Sequence, residues 1–310
     1  MQHLFITDPF EVLIPNHDST LALMRSALEH EHQVLQCQMN DLYWNGCEVT
    51  ARAKTIEKKQ ESLVVVNAEV KEINLSTSSL PIVWMRKDPP VDNTYIKVCQ
   101  LLRLAKCTVL NNPNSLMACD EKLFALEFPE LIPKTYIVQQ KKHIVELVKE
   151  QKRLIAKPIG AKGGEGIFMF SHDDKNLGSL IEVMTQNGKS TIILQEYLPQ
   201  IKEGDKRIFL LNGDPLGAVL RLPQEHDHRA NMAAGGTTVK TTITPEEYRI
   251  CEIIKPRMLE LGMHIVGIDT IGNKLTEINI TSPTCLEEIN NFDATDPCGK
   301  IIRWAEQFAS

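Results

Sequence analysis

Residues 267–281 read GIDTIGNKLTEINIT. Asp269, Glu277 and Asn279 stand among Ile268, Ile271, Leu275, Ile278 and Ile280, an apolar pattern that predicts two largely buried strands. Buried carboxylates are costly unless something positive meets them. No Lys or Arg of the stretch is placed to do so, because Lys274 lies in the turn. The stretch therefore reads as a cation site or, more simply, as a hairpin with one solvated face. Glu277 and Asn279 are two apart and share a strand face. Whether Asp269 joins them depends on the loop. A two-residue Gly272-Asn273 turn pairs 271 with 274 and sets Asp269 opposite Thr276. A three-residue loop, Gly272-Asn273-Lys274, pairs 271 with 275 and sets Asp269 opposite Glu277. A metal site thus predicts the three-residue loop, and the two-residue register with Asp269 on the wrong face would exclude it; its carboxylate and amide oxygens suit hard Mg²⁺.

A second stretch, AKPIGAKGGEGIFMF (156–170), places Gly160, Gly163, Gly164 and Gly166 between two expected strands. It has no Gly-Lys-Ser/Thr and opens no helix, which excludes a Walker A loop and a dinucleotide fingerprint. What remains is a strand–glycine loop–strand flap whose bare N–H groups could close over phosphates. Lys157 lies inside the apolar run LIAKPI, where its ammonium needs an anion; Lys122 lies in DEKLFALE, expected as an amphipathic helix. ILQEYLP (193–199) ends a strand in backbone groups able to meet an adenine edge. Residues 222–240 form a long aperiodic segment, which predicts a functional lid. His226, Asp227 and His228 within it lack a third ligand at fixed spacing. Arg229 there suits bidentate contact with carboxylate or phosphate.

These residues need elements to hold them. LFIT (4–7), a helix after the N-cap residues HDST (17–20) and a strand HQVLQCQ (32–38) predict a β–α–β opening with a parallel sheet. PIVWMR (81–86) repeats the pattern and sets Arg86 and Lys87 at a strand's carboxyl end, where open α/β sheets bind ligands. A helix over 92–106, a strand TVLNNP (108–113) and a helix over 115–127 follow. The texture then changes to α+β: TYIVQ, a helix 141–151, RLIAKP, the flap, GIFMF, a helix 174–187 and TIILQEYLP. A hairpin turned at Asn212-Gly213, the lid, a helix 245–262 and the opening hairpin complete the chain.

The chain has 310 residues, is 43% hydrophobic and 24% charged, and carries a net charge of −6. That balance gives no global attraction to nucleic acid or an anionic membrane, so an anionic ligand needs a local basic pocket. No apolar stretch approaches a membrane span, and MQHLFITDPF lacks the pattern of a signal peptide. Eight scattered cysteines without metal spacing read as reduced cytoplasmic thiols.

MRKDPP (85–90), DEKLF (120–124), KP before the glycine flap, YLP-x-IK-x-GDKR (197–207), LPQ…R-x-N-x-AAGG (222–236), VGIDTIG and LTEIN-x-TSPTC (275–285) occur in the order seen in one ligase family. The chain resembles the ATP-grasp ligases, and most closely the prokaryotic glutathione synthetases, over nearly its whole length. The resemblance implies a Rossmann-like N-terminal pre-ATP-grasp domain (1–120), an ATP-grasp small subdomain with the flap (121–199) and a C-terminal subdomain with lid and metal site (200–310). It implies ATP- and Mg²⁺-dependent ligation of γ-glutamylcysteine to glycine through an acyl phosphate, with two Mg²⁺ ions or Mn²⁺ in their place. Lys122, Lys157, Gly163, Gly164 and Gly166 would hold the phosphates. Gln195, Glu196, Tyr197 and Leu198 would line adenine, and Asp205 would meet the ribose. Asp269, Glu277 and Asn279 would hold metal, while Arg207, Arg221 and Arg229 would stabilise the transferring phosphoryl. Arg86, Lys87, Asp18 and Ser19 would take the dipeptide, and Ser282 and Thr284 would enclose the second substrate. The resemblance also implies a cytoplasmic homotetramer or homodimer without nucleic-acid or membrane partners.

The sequence departs from that family's pattern in places. Glu225, His226 and Ala230 stand where the lid carries glycines, and Glu287 stands where an Arg often follows TSPTC. These changes leave the ATP residues intact and bear on the amine acceptor. A ligase with another acceptor is therefore the competing reading, and a non-catalytic nucleotide-binding homologue is the third.

Overall fold

The computed structural model describes residues 1–60, 62–76, 81–161, 163–223 and 237–309. Its N-terminal sheet is built on parallel strands β1 (Gln2–Ile6), β2 (Gln33–Cys37), β6 (Ile82–Met85) and β7 (Val109–Leu110), in the order β2-β1-β6-β7. Leu4 sits beside Leu35 on one flank and Val83 on the other. All three are fully buried, as expected of parallel strands covered on both faces. Helix α1 (Ser19–Glu29) is capped by Asp18, whose carboxylate accepts from the Thr20 amide at 2.7 Å. On the far side of β2 the sheet turns antiparallel through β3 (Leu42–Trp44), β4 (Val49–Lys59) and β5 (Ser62–Asn74). Sequence reading assigned this hairpin no element.

Helix α2 (Asn93–Leu102) follows β6. The helix expected over 115–127 is not continuous. Helix α3 (Pro113–Ala118) stops at Cys119, which is extended, and a single 3₁₀ turn follows at Phe124–Glu127. The break lies at Asp120, whose carboxylate accepts from the amides of Lys122 and Leu123 at 2.9 and 3.0 Å. An Asp that satisfies backbone donors itself competes with helix propagation. Lys122 therefore lies in a turn, not on a helix.

The middle of the chain is a four-stranded antiparallel sheet in the order β10-β9-β11-β8: β8 (Thr135–Val138), β9 (Arg153–Pro158), β10 (Phe168–Ser171) and β11 (Ile192–Glu196). Helices α4 (Lys141–Gln151) and α5 (Leu177–Met184) cover it, with their own core around Ile144, Val148, Phe170 and Ile181. The C-terminal sheet runs β14-β13-β12-β15-β16, from β12 (Asp205–Leu211), β13 (Asp214–Leu222), β14 (Thr237–Lys240), β15 (Ile265–Ile271) and β16 (Lys274–Asn279). Helix α6 (Pro245–Glu260) begins with a Thr244–Glu247 capping box. Helices α7 (Leu286–Asp293) and α8 (Pro297–Ala309) close the chain.

The C-terminal sheet shares its core with the N-terminal sheet. Leu4, Val83 and Leu35 belong to the same buried cluster as Ile208, Ile254, Val266 and Ile278. The middle sheet has a separate core, so the gap between the two bodies is where a ligand can sit without cutting through packed side chains.

Candidate active site

The β15–β16 hairpin has a register that combines both expected alternatives. Ile271 pairs with Lys274, so the turn is the two-residue Gly272-Asn273, and the expectation of a three-residue loop is wrong. Asp269 nevertheless pairs with Glu277, because a bulge between Asp269 and Thr270 leaves Thr276 without a partner. One extra residue on one strand restores the face that the tight turn alone would have lost. The Thr276 hydroxyl donates to the Asp269 carbonyl at 3.0 Å, which braces the bulge. Asn279 reaches the same face, its amide nitrogen 3.3 Å from Asp269 Oδ2.

The buried carboxylates are met by cations from other strands. Arg207, on β12, binds Asp269 in a fork, with Nε 2.5 Å from Oδ1 and the terminal nitrogen 3.1 Å from Oδ2. Arg221, on β13, lies 3.0 Å from Asp269 Oδ2 and forks onto Asp205 at 2.5 and 2.8 Å. Strand pairing dictates this: Arg207 stands beside Asp269 and Arg221 beside Asp205. Burial alone would raise the Asp269 carboxyl, but the two guanidiniums outweigh it and hold it below the usual carboxylate range. Burial raises Asp205, against the pull of Arg221. Gly267 leaves the room that Arg207 needs, since a Cβ there would sit 3.0 Å from Arg207 Cδ and 3.0 Å from Pro283 Cβ.

Glu277 is bound more loosely. Lys122 and Lys157 both approach its Oε1 at 3.9 Å, the first from the turn after α3 and the second from β9. Lys157 is buried, and desolvation lowers its ammonium, with Glu277 opposing and Lys122 adding to the shift. Its Nζ also donates to Gln195 Oε1 at 2.9 Å. Lys122 donates to the carbonyl of Ala161 at the base of the flap. Gly163, Gly164 and Gly166 all have positive φ, between 62° and 79°, a backbone that β-carbon-bearing residues adopt at a cost. Residues 196–198 continue from β11 into a 3₁₀ turn, with Tyr197 and Leu198 half-buried and Glu196 exposed. Asp205 has both oxygens on Arg221, which holds that arginine in place.

On the other flank, Arg86 is buried and donates to the Thr20 hydroxyl at 3.2 Å and the Pro283 carbonyl at 2.8 Å. Its remaining NH1 and the Tyr95 hydroxyl are buried without partners among the described residues. Lys87 is drawn to Asp8 at 3.0 Å. Ser19 accepts from the Leu286 amide at 3.0 Å, so the start of α1 abuts the turn that holds Ser282 and Thr284. Thr284 lies 3.4 Å from Arg207 through its carbonyl. Glu287 is paired with Arg25 of α1 at 2.7 Å, so its charge is compensated inside the chain. Arg229, Glu225, His226 and Ala230 lie outside the described residues.

Sequence reading missed Glu121. It sits beside Lys122, and its Oε1 accepts from the Ile280 amide, the Thr281 amide and the Thr281 hydroxyl at 2.8, 2.9 and 2.7 Å. The acid in DEKLF, with a Thr just after the Glu-x-Asn strand, was the available signal, but their distance in sequence is 160 residues and no local pattern links them.

Two family models match, the prokaryotic glutathione synthetase N-terminal domain over residues 1–117 and the prokaryotic glutathione synthetase ATP-grasp domain over 121–294. A glutathione synthetase of Gloeobacter violaceus is 40% identical, covering 99% of this chain and 97% of that relative. One from Nitrosomonas europaea is 38% identical, covering 99% and 98%. The chain belongs to the prokaryotic glutathione synthetase family. Among solved structures, D-cycloserine synthetase DcsG matches with a TM-score of 0.67 at 11% identity, covering 99% of both chains. The RimK domain ATP-grasp protein of Sphaerobacter thermophilus matches at 0.64 and 12%, covering 98% and 99%. At such identities these two establish the ATP-grasp fold alone.

For a glutathione synthetase fold, the question is whether the hairpin suits a divalent metal. Among the described residues no group of three His, Cys, Asp or Glu side chains can hold one. The set here is two carboxylates and an amide, with Asp269 opposite Glu277 and Asn279 within 3.3 Å of Asp269. These are hard oxygen donors, and among the described residues the cations nearest Glu277 are lysines at 3.9 Å. The donor chemistry fits. Four cations (Lys122, Lys157, Arg207, Arg221) surround three carboxylates (Asp205, Asp269, Glu277), so the cluster carries a surplus positive charge before any polyphosphate enters.

Proposed function

We propose that this chain ligates γ-glutamylcysteine to glycine at the expense of ATP, giving glutathione, ADP and phosphate. The observation that carries this reading is the meeting of Lys122 and Lys157, from two separate bodies of the molecule, 3.9 Å from Glu277. A nucleotide that bridges a middle sheet and a C-terminal hairpin needs cations from both.

The cysteinyl carboxylate oxygen attacks the γ-phosphorus of ATP, the bond to the β-phosphate oxygen breaks, and ADP leaves. Glycine's amine then attacks the acyl carbon, the C–N bond forms, phosphate departs and the amine loses its proton. Lys122, Lys157 and the amides of Gly163, Gly164 and Gly166 neutralise and hold the phosphates. Residues 195–198 line adenine. Arg207 and Arg221, locked by Asp269 and Asp205, present fixed positive charge to the transferring phosphoryl, which needs no reorganisation as charge moves; Arg229 would add a third guanidinium. Asp269, Glu277 and Asn279 would hold Mg²⁺ (two ions, or Mn²⁺ instead), which would supply charge neutralisation for the phosphates. Arg86 NH1 and Tyr95 offer donors to a dipeptide carboxylate, with Lys87, Asp18 and Ser19 nearby, and residues 282–284 enclose the acceptor. The reading carries a cytoplasmic location, in keeping with eight free thiols, and a homodimer or homotetramer in solution.

The test is ADP release by the purified protein with ATP, Mg²⁺ and γ-glutamylcysteine, with and without glycine. Release that requires both substrates is the expected result. Release that ignores glycine but responds to another amine would overturn the acceptor and keep the ligase chemistry.

A further inference from the structure

Glu121 has no place in the chemistry above, yet it is one of the most heavily bonded carboxylates of the molecule. One oxygen accepts three hydrogen bonds, from the Ile280 amide at 2.8 Å, the Thr281 amide at 2.9 Å and the Thr281 hydroxyl at 2.7 Å. The Glu121 backbone carbonyl takes a fourth, from the Ile278 amide at 3.0 Å. Residues 278–281 are thus docked onto a single residue of the connecting segment. Burial raises the Glu121 carboxyl, and the Thr281 and Ile280 donors work against that shift.

What Glu121 joins is specific. The residue next to it is Lys122, whose Nζ reaches both Glu277 and the Ala161 carbonyl at the base of the flap. The segment it grips carries Glu277 and Asn279 on one side. On the other, Thr281 leads into residues 282–284, whose Pro283 carbonyl accepts from Arg86. A strand end beyond the last ladder pair has no sheet partner to fix it, so its position must come from elsewhere. Asn111 supplies part of that, its amide donating to the Ile280 carbonyl at 2.7 Å. Glu121 supplies the amide side.

We propose that Glu121 is a positioning residue, which sets Lys122 and the Glu277–Asn279 strand end at a fixed mutual distance so that a metal–nucleotide complex meets both at once. The inference rests on the function proposed above. The three donors need an acceptor oxygen in one place, and a glutamine can offer such an oxygen while an alanine cannot.

The experiment is calorimetric titration of the full-length protein with a non-hydrolysable ATP analogue and Mg²⁺, with steady-state kinetics and melting curves in parallel, on wild type, Glu121→Ala and Glu121→Gln. Expected is a loss of analogue affinity of about tenfold or more and a raised KM for MgATP in Glu121→Ala, measured on protein that is still folded. Glu121→Gln is expected within about threefold of wild type. Unchanged affinity and KM in folded Glu121→Ala, with only its melting temperature lowered, would assign the residue to stability and overturn the proposal. Glu121→Gln as impaired as Glu121→Ala would also overturn it, by showing that the charge and not the acceptor geometry matters. Should Glu121→Ala not fold, Thr281→Val, which removes one of the three donors, is expected to weaken the analogue about threefold, and no weakening overturns the proposal. Wild type that fails to bind the analogue would sink the nucleotide reading itself, a result distinct from all of these.

Discussion

At the scale of single residues, two carboxylates facing the same cleft have different duties. Asp269 is buried and spans two guanidiniums, whereas Glu277 is partly open and holds its lysines at 3.9 Å. Removing Asp269's charge strands Arg207 in the interior, and breaking a buried pair in this way costs about 3–5 kcal/mol. Asp269→Asn is therefore expected to melt about 10 °C lower, read by calorimetry. The pH dependence has a sign. Because the folded carboxyl is held below its unfolded value of about 3.9, its contribution is present above that pH and lost as pH falls through the folded value. The difference between wild type and Asp269→Asn should thus shrink in acid, and a gap that stays constant down to pH 2 would contradict the ion-pair account. Glu277→Gln should behave oppositely, with turnover down at least about a hundredfold and melting within a few degrees. Unchanged turnover would remove Glu277 from the metal site.

At the scale of elements, the bulge in β16 decides the site. A tight Gly272-Asn273 turn and an Asp269–Glu277 pair are incompatible in a regular ladder, and skipping Thr276 reconciles them. The Thr276 hydroxyl closes the bulge onto the Asp269 carbonyl. Thr276→Val keeps the shape and removes that bond, so a stability loss of about 1 kcal/mol is expected, with a several-fold rise in the Mg²⁺ concentration needed for half-maximal rate. Denaturant titration and a Mg²⁺ titration check both, and a variant indistinguishable from wild type in Mg²⁺ requirement would detach the bulge from the metal. Helix α3 teaches the same lesson. The turn that Asp120 caps just after it keeps Lys122 out of a helix and sets it in the cleft.

At the scale of the molecule, the N-terminal and C-terminal sheets form one packed body and the middle sheet another. Lys157 belongs to the second and Glu277 to the first, so their approach depends on how the bodies are held. A nucleotide gripped by both should stabilise the whole chain by mass action, about 2.7 kcal/mol at a hundredfold excess over Kd. A melting temperature several degrees higher with a non-hydrolysable ATP analogue and Mg²⁺ than with Mg²⁺ alone is the expected result. No shift at saturation would mean that the cleft does not take nucleotide.

The sequence by itself determined the parallel opening, the flap, the two lysines and the Asp…Glu-x-Asn set, because each is local: a period, a glycine cluster or a spacing of two along a strand. It also carried the family, through motifs in order. Only the tertiary structure decided which charges meet. Arg207 and Arg221 reach Asp269 through strand pairing, Arg25 neutralises Glu287 from α1, and Glu121 grips Thr281 across 160 residues of chain. Such partners come from elements that fold beside one another, and nothing in local spacing encodes their adjacency. The bulge was hidden for a related reason: one skipped residue changes the register, and its cause is the burial demand of the assembled sheet.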